Sequence, residues 1–207
     1  MKFAFCVEDE SDEAIFVVIL QKILGAAVEP DGATTYRFPP GGWRRALDLA
    51  PLVARHAARS GFDGALFAID NDGREEHVEE HANAGDCRHC ALRHAANVAE
   101  PLSWTRPGMP SLRYFFAVPI QMVETWLLLV RGHPFSGPPE QVGVDATGRR
   151  QLKRWLYGDE SPSRARILAV AIPIANQLEP TALAAASQSF ANLLSTTASG
   201  SPRVISP

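Results

Sequence analysis

The fold is decided by one short stretch of this sequence, Ala65-Leu66-Phe67-Ala68-Ile69-Asp70-Asn71-Asp72. An unbroken apolar run that ends at an acidic turn is typical of a strand buried on both faces of a parallel sheet. The acids then lie just beyond the carboxyl end of the strand, where sheets of this kind bind their ligands. The stretch therefore predicts both a fold class and the edge of the fold where a site should lie.

Strands and helices alternate on both sides of this stretch, which predicts an α/β fold with a mostly parallel sheet of four or more strands flanked by helices. The other strands are predicted at residues 2–7, 34–38 and 114–118, and the helices at 14–24, 43–59, 87–102 and 121–130. We expect residues 1–131 to form the core and residues 132–195 a small helical extension packed on it. Short helices are predicted there at 149–157, 164–178 and 187–194, and residues 196–207 are expected to be a flexible tail.

Composition narrows the class of protein. The chain has 207 residues, 46% of them hydrophobic, which is enough for one sizeable core. A net charge of −3 argues against a protein that holds nucleic acid by bulk positive charge, so any such contact should be local. No apolar run approaches the roughly 20 residues of a membrane helix, and no cleavable signal is evident. Three cysteines give no paired framework, so we expect a cytoplasmic protein without disulfides.

Acidic residues follow three of the predicted strands. Glu8 comes after the first strand, Asp70 and Asp72 after the third, and Glu124 in the first turn or so of the helix after the fourth. Because the carboxyl ends of parallel strands share one rim, all four should face the same space. Carboxylates around an open site suit Mg²⁺ or Mn²⁺, which take oxygen ligands and can also bind phosphate.

Simpler roles are available for some of these acids. Asp9, Glu10, Asp12 and Glu13 could merely cap the next helix or complement its dipole. The sequence Asp-Asn-Asp-Gly at residues 70–73 is also an ordinary tight turn.

The acidic pattern resembles the TOPRIM domain over about residues 3–130. The resemblance lies in Val7-Glu8 followed by Ser11-Asp12-Glu13 and a helix, and in the strand that ends at Asp70-Asn71-Asp72. It is closest to the OLD-type nucleases and to small bacterial TOPRIM-like proteins, in which a segment similar to residues 118–128 recurs. Their chemistry implies a nuclease acting on DNA or RNA with Mg²⁺ or Mn²⁺. It also implies catalytic and metal-binding roles for Glu8, Asp70, Asp72 and Glu124.

Two departures from the family pattern bear on this expectation. Asp9 follows Glu8 where the first TOPRIM motif commonly has glycine. The ATP-binding motif of full-length OLD proteins is missing from the sequence. We therefore expect a lone catalytic module, with a nucleic acid substrate and an ATPase or another subunit of a phage-defence or mobile-element system as a possible partner.

The densest basic patch consists of Arg149, Arg150, Lys153 and Arg154. These residues are candidates for phosphate contact, and either Lys153 or Arg150 could steady the transition state. Such a patch can equally be a solvated helix face.

A second candidate metal site is suggested by Cys87, Cys90 and His94, which share one face of a predicted helix and could bind zinc. His77 and His81 lie upstream. The competing interpretation is a helix that simply lies over the acidic rim.

Other functions compete with the nuclease. Asp70 could be the phospho-acceptor of a receiver-like module, or the nucleophile of a haloacid-dehalogenase-type phosphatase. The lysines, however, follow no apolar strand as a receiver requires, and the phosphatase motif normally follows the first strand. A non-catalytic recognition subunit of a larger nucleic-acid or defence complex would keep the fold with a degenerate site.

Overall fold

A computed structural model describes residues 1–31, 36–37, 42–71, 77, 87–99, 112–119, 123–142 and 145–198. The strands are β1 (Lys2–Val7), β2 (Glu29–Pro30), β3 (Tyr36–Arg37), β4 (Gly64–Ala68) and β5 (Arg113–Ala117). The helices are α1 (Glu10–Leu24), α2 (Trp43–Arg59), α3 (Arg88–Ala99), α4 (Val123–Val130), α5 (Ala146–Tyr157), α6 (Arg164–Ala175), α7 (Pro180–Ala186) and α8 (Gln188–Ala198), with a 3₁₀ turn at Pro139–Gln141.

All strand pairs are parallel, and β1 and β4 form the middle of the sheet. The order is β2-β1-β4-β5, and β3 pairs with the carboxyl-terminal part of the same edge of β1. Phe5 of β1 pairs with Leu66 of β4, which in turn pairs with Phe115 of β5. This order brings the carboxyl ends of β1, β4 and β5 to one rim, as the predicted α/β fold requires.

Side chains alternate between two cores, one on each face of the sheet. Phe3, Phe5 and Val7 of β1 point into one core with α1 and the helices from α4 onward. Ala4 and Cys6 point into the other core with α2 and α3. Strands that are buried on both faces account for the continuous apolar runs in the sequence.

The helices after residue 145 pack into the same core as α1 and α4. Trp126 of α4 donates a hydrogen bond from Nε1 to Ser189 Oγ of α8 at 2.9 Å, and its ring packs edge-on against Phe16 of α1. Leu156 of α5 and Ala171 of α6 are buried in that core as well. Among the described helices, none is by itself long and apolar enough to cross a membrane; α6 and α7 reach that length only as a pair bent by 103°.

Several predicted boundaries differ from the structure. α1 begins four residues before the predicted start at 14, because Asp9 caps it. α8 continues to Ala198, so the predicted tail from residue 196 begins inside a helix, while residues 199–207 lie outside the described part. The sequence pattern missed β2 and α7. β2 is a two-residue edge strand, and α7 has 7 residues, about two turns, most of them alanine, so neither offers a hydrophobic period to detect.

Candidate functional site

A small cleft opens at the rim where β1 and β4 end. Three acids line it: Glu8 follows β1, Asp12 lies in the first turn of α1, and Asp70 follows β4. The remaining lining residues are apolar: Phe16, Ala68, Ile69, Pro119 and Val123. Glu8 and Asp70 are thus brought together as the sequence predicts. Asp72 lies outside the described residues.

The beginning of α1 explains which acids reach the cleft. Asp9 is the N-cap, and its Oδ1 accepts hydrogen bonds from the backbone amides of Ser11 at 2.6 Å and Asp12 at 3.0 Å. This is the capping role considered for it. Asp12 does not share that role, because its side chain faces the cleft. The signal in the sequence was the spacing of four between Asp12 and the buried Phe16, which places both on one side of α1.

The surroundings of Asp12 disfavour its ionised form. Burial raises its pKa well above the usual range, and the negative charges of Asp9, Glu124 and Glu8 raise it further. A backbone hydrogen bond in the Asp9 cap acts in the opposite direction. Burial and three like charges disfavour the ionised form of Asp12. A bound cation would offset this repulsion, so cations would be attracted to this position.

Glu124 lies in the first turn of α4, as predicted, and its side chain is buried with 5% of the residue exposed. Burial raises its pKa, and the positive charge of Lys153 on α5 opposes that rise. The Tyr157 hydroxyl is also buried, and burial and then the negative charge of Glu124 raise the pKa of Tyr157. The charge of Glu124 therefore acts both on the half-buried Lys153 and on Asp12 of the cleft.

The four predicted phosphate contacts separate into different environments. Arg150 and Arg154 both pair with Glu160, Arg150 at 3.9 Å between Nε and Oε2, and both side chains are more than half exposed. Lys153 is half-buried and acts on Glu124. Between the two candidates for the basic role, Lys153 is the one near the acids. For Arg149, also half-buried, the structure gives no contact with the acids.

The described acids of the cleft do not form a compact set of three metal ligands. Among the described residues, the acids of the cleft do not bring three ligand oxygens within 4.8 Å of one another. Mg²⁺ does not require this, because it keeps several waters and is usually held by one or two carboxylates. The donor set of Glu8, Asp12 and Asp70 is compatible with Mg²⁺ or Mn²⁺ held partly through water.

A second cluster brings together His77, Cys87 and Cys90, with one ligand atom of each within 4.8 Å of the others. The thiol of Cys90 donates to Cys87 and lowers the pKa of Cys87 to about 3, with a further lowering by His77, while the pKa of Cys90 is raised by the same pairing. His94, the predicted third ligand, is exposed and outside the cluster, and His77 takes its place. His81 lies outside the described residues. Sulfur and imidazole ligands give no support to Mg²⁺ here.

Arg88 also lies at this rim, although the sequence did not predict it there. Its guanidinium donates to the backbone carbonyl of Asp70 and lies 5.1 Å from the ring centre of Trp43. The arginine is buried, with 6% of it exposed. The beginning of α3 therefore lies at the acidic rim. The only sign of it in the sequence was its position between Cys87 and Cys90, two residues expected to be at least partly buried.

No protein-family model, curated protein or solved structure matches this chain.

Proposed function

We propose that this chain is a metal-dependent phosphodiester enzyme, a nuclease that cleaves DNA or RNA with Mg²⁺ or Mn²⁺. The observation that carries the proposal is that Glu8, Asp12 and Asp70 line one cleft at the carboxyl ends of β1 and β4, where burial and then the charges of neighbouring acids raise the pKa of Asp12. Such a cluster lowers the stability of the folded chain, and groups perturbed in this way concentrate at functional sites.

The cation would lie in the cleft, held by Glu8, Asp12 and Asp70. The predicted ligand Asp72 would complete this set. When bound, the cation would polarise a phosphoryl oxygen and neutralise the charge that develops on it. The chain itself contributes apolar walls, including Phe16 and Val123, that limit water at one side of the cleft.

Glu124 and Lys153 would act together behind the cation-binding acids. A carboxyl whose pKa is raised is suited to accepting and returning a proton, so Glu124 assists as a base or as a further ligand. The Lys153 ammonium would steady negative charge on the phosphate. Both residues are held by helices, α4 and α5, that pack in one core.

Phosphodiesters, rather than other phosphate compounds, are proposed because of the TOPRIM resemblance. The same resemblance supports a nucleic acid as substrate and an ATPase or other defence subunit as partner. The proposal places the chain in the cytoplasm, in keeping with cysteines that are all free thiols in the structure.

The test is incubation of the purified chain with single- and double-stranded DNA and RNA, with Mg²⁺ or Mn²⁺ and with chelator. We expect metal-dependent cleavage that falls by roughly 100-fold or more in Asp70→Ala and in Asp12→Asn, as loss of a metal ligand or charge-stabilising group does. Glu29→Gln is the matched control, because Glu29 is an exposed acid on β2, away from the rim.

Other outcomes identify the competing functions. Binding of nucleic acid without cleavage, unchanged by metal, would make the chain a recognition subunit. Labelling of Asp70 by acetyl phosphate would make it a phospho-acceptor. Absence of both cleavage and metal binding would overturn the nuclease.

A further inference from the structure

His77, Cys87 and Cys90 are arranged at the distances of ligands around one small ion. His77 Nδ1 lies 3.5 Å from Cys87 Sγ and 3.5 Å from Cys90 Sγ. Bonds of about 2.3 Å from zinc to sulfur and about 2.0–2.1 Å from zinc to nitrogen, at tetrahedral angles, separate sulfur and nitrogen by about 3.6 Å. The observed separations match this edge of a zinc tetrahedron.

The two cysteines are held by the beginning of α3. Cys87 immediately precedes the helix, and the backbone amide of Cys90 donates to Cys87 Sγ at 3.4 Å. A helix N-terminus stabilises negative charge, which favours the thiolate that binds metal. Cys87 is buried and Cys90 is half-buried, so the pair is positioned by packing and still reachable from solvent.

His77 is held by contacts with residues of α8 and α3. Its backbone carbonyl accepts a hydrogen bond from Asn192 Nδ2 of α8 at 3.1 Å. Its ring stacks on His89 of α3, with 4.1 Å between ring centres, and His89 packs in turn against Phe116 of β5. A histidine restrained at both its backbone and its ring presents Nδ1 to the sulfurs in a defined position.

We propose that His77, Cys87 and Cys90 bind one zinc ion, leaving the fourth tetrahedral position to a water or a further ligand. Two thiolates and one imidazole select zinc over Mg²⁺, and the two negative charges balance the ion. Cys-x-x-Cys pairs also form redox disulfides, but an imidazole nitrogen 3.5 Å from both sulfurs is the arrangement of three ligands around one shared ion. Because Arg88, between the cysteines, donates to the Asp70 carbonyl, the zinc would anchor one wall of the acidic cleft.

The experiment measures metal content in the full chain purified without chelator from zinc-supplemented medium. We expect one zinc per chain by mass spectrometry. Replacement by Co²⁺ should produce the sulfur-to-cobalt charge-transfer absorption of a tetrahedral thiolate site. Loss of partners outside the ligand shell of a metal site weakens affinity by about 10–100-fold, so removal of a ligand in His77→Ala or Cys90→Ser should exceed about 100-fold.

His94→Ala is the matched control, because His94 lies on the same helix, is exposed and is outside the cluster. It should retain full zinc content. A second measurement on the wild-type chain avoids variants that fail to fold: chelator should release zinc and make two thiols reactive. The third, Cys6, is buried in β1 with its pKa raised to about 12 and should stay unreactive.

Three results would overturn the zinc site. They are a chain that carries no stoichiometric zinc or cobalt, a His77→Ala variant with unchanged metal affinity, and a Cys87–Cys90 disulfide that persists in the protein purified under reducing conditions. None of these measurements depends on nuclease activity, so the zinc site and the proposed function stand or fall separately.

Discussion

Asp12 in the first turn of α1 and Glu124 in the first turn of α4 are coupled by charge: burial raises the pKa of Asp12, and the negative charge of Glu124 raises it further. Two helices that begin at the same rim thus direct like charges toward one space. An uncompensated buried charge destabilises the folded state, so two such acids without a function would be a cost to the core. This arrangement leads to predictions about stability that can be tested without knowing the substrate.

The first prediction concerns Glu124→Gln in the presence of chelator. The pKa of Glu124 is raised in the folded chain, so the unfolded chain loses this proton at a lower pH than the folded chain does. The contribution of Glu124 to stability is therefore largest below its unfolded pKa and is lost as pH rises through the folded value. Near neutral pH the variant should be more stable than wild type by about 1 kcal/mol, within the range of typical stabilising substitutions.

Denaturant unfolding of both chains from pH 4 to pH 8 measures this effect. The stability difference should be small at the acidic end and should grow with pH. Glu29→Gln, which removes an exposed acid, should show no such growth. A Glu124→Gln variant less stable than wild type at neutral pH would contradict the interpretation.

The second prediction concerns added Mg²⁺. A cation that binds the folded chain alone stabilises it by about 1.4 kcal/mol at ten times its dissociation constant. For a chain of this length that corresponds to a rise in the melting temperature of roughly 3–5 °C. Asp12→Asn should raise the melting temperature without metal and abolish most of the rise with metal, as differential scanning fluorimetry can show. Equal responses to Mg²⁺ and to the same ionic strength of NaCl would indicate screening alone.

The sequence was sufficient for the fold class because the strands are buried on both faces. Unbroken apolar runs such as residues 65–69 have few other interpretations, and the alternation with helices sets a parallel sheet. It was also sufficient to bring Glu8 and Asp70 to one rim, since both directly follow strands. Asp12 was harder to assign, because the first turn of a helix is also where acids complement the dipole.

Side-chain partners over long sequence separations could not be predicted. Lys153 and Arg154 are adjacent in one basic run, and the run gives no sign that the first faces Glu124 while the second pairs with Glu160. His77 was similarly indistinguishable from His94 as a partner for the cysteines. In both cases the deciding factor is how helices pack, which depends on contacts between distant parts of the chain.

The third prediction separates Lys153 from its neighbour. Lys153→Met removes the positive charge that opposes the rise in the pKa of Glu124, so that pKa should rise further. If Glu124 acts as a base, the acidic limb of the pH profile for kcat/KM should move to higher pH, and the rate should fall by about 100-fold.

Lys153→Arg should restore the position of the limb. Arg154→Met should change the rate by less than roughly threefold, as expected for an exposed ion pair. If the acidic limb of the pH profile moved in Arg154→Met, or did not move in Lys153→Met, Lys153 would not be the basic residue that acts on Glu124.

The last prediction tests the register of the sheet on which the site depends. Gly64 begins β4 between β1 and β5, and a methyl group added there would overlap both the carbonyl oxygen of Arg113 and the ring of Phe3. Neither neighbour can easily move: one is the backbone of the adjacent strand, and the other is fully buried. Gly64→Ala should therefore cost about 3 kcal/mol and lower the melting temperature by roughly 10 °C.

Gly137→Ala is the control, because a methyl group there meets nothing within 4 Å, and it should be close to neutral. If both variants melted at the wild-type temperature, the close approach of β1, β4 and β5 at Gly64 would be incorrect, and with it the alignment that brings Glu8 and Asp70 to one rim.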